Sequence, residues 1–133
     1  MKRAQPEAAI QRAVFLHLRT RGAPGVFAFH PANGGYRKPV EAAIMKGLGV
    51  TAGLPDVIAI HDGRVHGLEI KAPGGQISAP QLATLAQMRE AGAVVAVAVG
   101  LDQALRQLEG FGLLRGKAAL SPARMRPRCR RRS

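Results

Sequence analysis

Three residues near the middle of the chain have types and spacing that could do chemistry together: Asp56, Glu69 and Lys71. Between them lies Asp62-Gly63, flanked by the largely apolar runs 57–61 and 64–71. An Asp-Gly pair in that setting predicts a two-residue hairpin, because a type I′ turn needs positive φ at both central positions. With these two residues as the loop, His61 pairs with Arg64 and Ile60 with Val65, and the same register brings Asp56 opposite Glu69. Directly opposed residues have Cβ atoms about 4.5–5.5 Å apart. Lys71, two positions beyond Glu69, projects from the same face. Like charges facing each other destabilise a strand pair, and acids are costly in strands otherwise made of Val, Ile and Leu. A divalent cation resolves that conflict. Two carboxylates, a backbone carbonyl and waters make a hard, oxygen-rich site suited to Mg²⁺ or Mn²⁺. Taken alone the triplet is short, and an ion pair of Lys71 with Glu69 or Asp56 at a sheet edge would also account for it.

The elements that must position these residues follow from periodicity. Pro6 suits a first-turn position, and Ile10, Val14 and Leu18 recur at helical spacing until Gly22. Residues 26–30 read as a short strand. Residues 31–39, rich in Asn, Gly and Pro, read as a loop carrying Tyr36, Arg37 and Lys38. A short helix from Val40 to about Lys46 precedes the hairpin. After it comes a Gly-rich loop, and then Ser78 as N-cap with Gln81 three residues later, a capping box. That box opens a helix to Ala91 with Leu82, Leu85 and Met88 on one face. Residues 93–99 are apolar on both faces, as expected of a central, doubly covered strand, and a last helix spans Asp102 to Leu108. The order predicts an α/β fold with a mixed central sheet flanked by helices.

Composition narrows the classes. The chain has 133 residues, 47% of them hydrophobic, which suits a single core. Its longest apolar run, 93–99, is far short of the ~20 residues a bilayer span needs. No apolar leader core follows Lys2 and Arg3, so a cytoplasmic location is expected. Cys129 is the only cysteine, which excludes an internal disulfide and any Cys-based zinc site. His17, His30, His61 and His66 lack metal-ligand spacing. No Walker-type loop is present, so no nucleotide cofactor is expected. The net charge is +12, and seven Lys or Arg with no acid lie from Lys117 onward. Residues 1–116 therefore read as the folded domain, and 117–133 as a flexible Arg-rich tail that attracts polyanions through Arg124, Arg126 and Arg128.

Beyond the triplet, further residues fall in a recognisable order. These are Glu7 and Gln11 on the first helix, Pro31-Ala32-Asn33-Gly34-Gly35 in the loop, Gly53-Leu54-Pro55-Asp56, Glu69-Ile70-Lys71, and Gly74 with Ser78 and Gln81. In this the sequence resembles the PD-(D/E)XK nuclease superfamily and, within it, the VRR-NUC family of virus-type replication–repair nucleases, over nearly all of the chain before the tail. The resemblance implies a restriction-endonuclease-like αβββαβ core. It implies Asp56 and Glu69 as metal ligands, with the backbone carbonyl of Ile70 and, directly or through water, Glu7. It implies that Lys71 orients or deprotonates the attacking water or stabilises charge on the phosphate, and that Gln81 supports the site. Leu85 stands where an aromatic often follows that glutamine, a departure from exonuclease-type members.

The expected function is metal-dependent DNA endonuclease activity using Mg²⁺ or Mn²⁺, hydrolysing phosphodiester bonds. The resemblance to stand-alone phage and bacterial members, which are Holliday-junction-resolvase-like, implies selectivity for branched DNA in replication, repair or recombination. It also implies a homodimer in the cytoplasm of a bacterial or phage-infected cell. Gly-rich backbone at Asn33, Gly34 and Gly35, with Arg37 and Lys38 beside it, could let phosphates approach closely, or be no more than a turn. The alternative function is a catalytically silent nucleic-acid-binding module with the same fold.

Overall fold

The computed structural model describes residues 6–32 and 38–116. Its elements are α1 (Glu7–Arg21), β1 (Phe27–Phe29), α2 (Pro39–Gly47), β2 (Val57–His61), β3 (Arg64–Lys71), α3 (Ala79–Glu90), β4 (Val94–Val99) and α4 (Gly100–Gly110). The strands form one sheet in the order β1-β2-β3-β4. The first three run antiparallel, and β4 lies parallel to β3 after a crossover through α3. This is the mixed α/β architecture that the pattern of helices and strands predicts.

The β2–β3 hairpin has the expected register, from His61↔Arg64 to Val57↔Leu68. Asp62 and Gly63 both take positive φ, 52° and 74°, as a type I′ turn demands. Strand alternation then sorts the side chains. One face presents Val57, Ala59, Leu68, Ile70 and Ala98, which pack with Ile10 and Val14 of α1 and Ala104 and Leu108 of α4 to make the core. After α4 the chain returns to the end of α1, where Ala23 N–H donates to the Leu113 carbonyl at 2.8 Å and Arg115 N–H to that of Arg21 at 2.8 Å. On the opposite face, a Cβ at Gly67 would stand 3.2 Å from Met88 of α3 and 3.0 Å from Pro55, so α3 and the turn before β2 lie over β3 there.

Two expectations need correction. The 93–99 run is a strand, but β4 is at the sheet edge and not at its centre. Nor is it fully covered on both faces: α3 and α4 both pack against it, but only Ala98 is buried, and Val97 and Val99 are 37% and 38% exposed. Pairing of its outer backbone edge leaves no trace in side-chain polarity. Leu82 does not face inward with Leu85; it is 55% exposed, and α3 turns Thr84 and Leu85 toward the protein. Helix α2 has no buried residue. Among the described residues, no helix is long and apolar enough to cross a membrane.

Candidate active site

Asp56, Ile58 and Ile60 share one face of β2 by alternation, and Gly67, Glu69 and Lys71 share the matching face of β3. Asp56 lies one position before the ladder begins, so its side chain is free to turn along the sheet end. Its Oδ2 accepts from the Ile70 N–H at 2.9 Å. Burial pushes its carboxyl above the ordinary value, the Ile70 N–H opposes that rise, and the charge of Glu7 adds to it. On the neighbouring strand Glu69 is 1% exposed, and its carboxyl is pushed up to about 7, first by burial and then by the charge of Asp56, with Lys71 opposing.

Glu69 is held at one oxygen only. Its Oε2 accepts from Gln81 Nε2 at 2.8 Å and lies 3.4 Å from the Lys71 ammonium. Its Oε1 is buried with no hydrogen-bond partner. A buried carboxylate oxygen without a donor costs about 1–3 kcal/mol or more, and a cation is what would satisfy it. Gln81 has a second task in the same side chain. Its Oε1 accepts from the Ser78 N–H at 2.9 Å, while its own N–H donates to Ser78 Oγ at 3.2 Å, the reciprocal capping box of α3.

The turn before Asp56 is stapled to that same helix start. Thr84 Oγ1 donates to the Ala52 carbonyl at 2.6 Å. Gly53 takes φ +79°, and a Cβ there would stand 2.5 Å from the Pro80 carbonyl oxygen. This docking ties the turn that carries Asp56 to the helix start that carries Gln81, the partner of Glu69. Glu7, exposed in the first turn of α1, reaches toward the end of β3, where its Oε2 lies 3.4 Å from the Ala72 N–H. Its charge acts on both Asp56 and Glu69.

The structure therefore gathers Asp56, Glu69, Lys71, Gln81 and, at the rim, Glu7. Ile70 turns its side chain into the core, so only its backbone faces the site. Among the described residues, no group of three or more His, Cys, Asp or Glu side chains gathers to hold a metal ion. The donor set that fits a hard divalent cation is thus the carboxylate pair of Asp56 and Glu69, completed by backbone carbonyl and water. Lys38 is exposed just before α2, where its N–H points at Glu41 Oε1 over 3.4 Å. Asn33, Gly34, Gly35, Arg37, Arg124, Arg126 and Arg128 lie outside the described residues.

One neighbour of the site has no sequence signal. His30 Nδ1 stands 2.8 Å from the Asp56 carbonyl oxygen. A carbonyl only accepts, so Nδ1 carries the proton and ties the end of β1 to the backbone of Asp56. Nothing in the spacing of the histidines marks this role, because the partner is a main-chain atom.

No family model and no curated protein matches the sequence. Among solved structures, a chain described as "VRR_NUC domain protein" has the same fold, with a TM-score of 0.69 and 22% sequence identity over 83% of this chain and 90% of that one. At that identity the likeness establishes the fold. The neighbour's description is also the family that the residues of this sequence resemble.

Proposed function

We propose that this chain is a metal-dependent DNA endonuclease that hydrolyses phosphodiester bonds, acting on branched DNA such as Holliday junctions in replication, repair or recombination. One observation carries the reading: Glu69 is buried beside Asp56 with Oε1 lacking any partner. That arrangement burdens a fold and suits a cation site. The nuclease-type fold of the solved neighbour and the motif resemblance support it, and the +12 charge suits a polyanionic partner.

In this reading Asp56 and Glu69 would hold Mg²⁺ or Mn²⁺, with the Ile70 carbonyl as a further oxygen donor and Glu7 acting on the ion through water. The ion supplies neutralisation of the phosphate and a bound water of lowered pKa. Gln81 and Lys71 engage Glu69 through Oε2, which would leave Oε1 available to such an ion. Lys71 also brings a positive charge to where the attacking water and the phosphate meet. A junction has two strands to cut, which favours two copies of the chain acting together.

The test is cleavage of labelled duplex, flap, single-stranded and four-way-junction DNA with Mg²⁺ or Mn²⁺, by wild type and Glu69→Ala. Expected is metal-dependent cutting that Glu69→Ala lowers more than about 100-fold, beyond the loss typical of an outer-shell partner, with DNA binding kept. Equal cutting of all four substrates removes the branched-DNA preference. No metal-dependent cutting of any would leave a silent nucleic-acid-binding module in its place.

A further inference from the structure

The chain has only five aromatic residues, four Phe and one Tyr. Two of them, Phe15 and Phe111, pack against the core. Phe27 and Phe29 do not. They are 64% and 37% exposed, and their ring centroids stand 5.9 Å apart with planes tilted by 49°. A core so poor in aromatics gains nothing from leaving two of them at the surface.

Their place in the sheet gives them a use. Phe29 pairs with Ile58, Ile58 with Gly67, and Gly67 precedes Glu69 by two positions. Directly paired residues share a face, so Phe27 and Phe29 lie on the same face as Asp56, Glu69 and Lys71. Helix α3 covers that face at Gly67 of β3 and Val95 of β4, while Val97 and Val99 further along β4 are 37% and 38% exposed. Over β1 and β2 the face is open among the described residues, with Ile60, the partner of Phe27, 41% exposed. Two strand spacings across and two residues along place Phe29 about 12 Å from Glu69, Cα to Cα. That is within reach of a few nucleotides of an unstacked strand.

We infer that Phe27 and Phe29 form a stacking platform for unpaired nucleobases next to the site at Asp56 and Glu69. A phenyl ring has no donor or acceptor with which to read a base edge, so the platform is blind to sequence. It responds instead to strandedness, because bases inside a duplex hide their faces in the stack, whereas unpaired bases offer them. The net charge of +12 supplies attraction to the phosphates. Among branched DNAs the platform therefore favours those that expose unpaired nucleotides, or open them at the branch point, beside the phosphate. The position relative to a cut rests on the nuclease reading; the stacking does not.

The experiment uses the full chain in EDTA, so that nothing is cut, and follows anisotropy of a fluorescein-labelled oligothymidylate, an abasic strand of equal length, and a duplex. Wild type should bind the thymidine strand better than the abasic one. The double variant Phe27→Leu/Phe29→Leu should lose about tenfold in affinity for the thymidine strand and keep its affinity for the duplex. The chain has no tryptophan, so Phe29→Trp places a unique tryptophan on the platform, excited selectively at 295 nm. It should retain binding and be quenched by the thymidine strand but not by the abasic one. Equal wild-type binding to both single strands, or an unchanged Leu variant, overturns the inference. If sedimentation shows that the Leu variant only converts a dimer to a monomer, the face is an interface between copies and the inference fails. A protein that stacks bases without cutting DNA under the assay above would refute only the nuclease reading.

Discussion

The carboxyl of Glu69 ties the site to the stability of the whole chain. Its value of about 7 in the folded protein stands above the 4.5 of an ordinary glutamate, with burial the largest cause. Between those two values the folded state keeps a proton that the unfolded state has lost, so stability falls as pH rises through that window. The penalty reaches on the order of 3 kcal/mol near neutrality and is absent below the unfolded value. Glu69→Gln removes the titration. In metal-free buffer, the unfolding free energy of wild type relative to this variant should therefore decline between pH 4.5 and 7. Chemical denaturation across that range measures it, and a flat difference would contradict the burial of the charged form. Saturating Mn²⁺ should recover much of the loss at pH 7, since a cation binds the deprotonated carboxylate. How far such residues show in a sequence depends on what they touch. Asp56, Glu69 and Lys71 are legible because hairpin register is local arithmetic. Gln81 is legible as a capping residue, and the motif resemblance implies that it supports the site, but nothing in the sequence marks its bond to Glu69. His30 leaves no mark at all, since it donates to a main-chain oxygen.

At the scale of elements, the turn before β2 and the start of α3 act as one unit. Gly53 makes this close approach, with positive φ and no room for a Cβ against Pro80. Gly53→Ala should destabilise the fold by about 2–4 kcal/mol, combining left-handed strain with a backbone clash. Gly63→Ala is the comparison, since Gly63 also has positive φ but open space around its Cβ, and it should cost only about 1–2 kcal/mol. Thermal unfolding of the two variants decides it; a Gly53→Ala loss no larger than that of Gly63→Ala would mean the turn is not docked as described. The same unit explains which elements could be read in advance. A turn type and a capping box are written in a few adjacent residues, so β2, β3 and the start of α3 fall where they are expected. The edge position of β4 and the outward face of Leu82 depend on which elements lie beside them, and residue periodicity reports only that something covers a face.

At the scale of the molecule, the sheet of the described residues ends on β1 at one side and β4 at the other. Among the described residues nothing pairs with the outer edge of β4, whose Val94–Val99 run has neither charge nor proline. Such edges invite pairing between chains once α3 and α4 loosen. Opposing this is the net charge of +12, whose repulsion acts over about 30 Å at 0.01 M salt but about 3 Å at 1 M. Heating should therefore be reversible at low ionic strength and low protein concentration, and should end in concentration-dependent aggregation at high ionic strength. Repeated calorimetric scans with light scattering check this, and full reversibility in 1 M salt would show that the edge is protected by other means. In colloidal terms, a sheet whose rims are bare among the described residues stays dispersed only while its particles repel. A polyanion that neutralises the chain would withdraw that protection, so protein mixed with DNA near charge balance should cloud on warming where the protein alone stays clear.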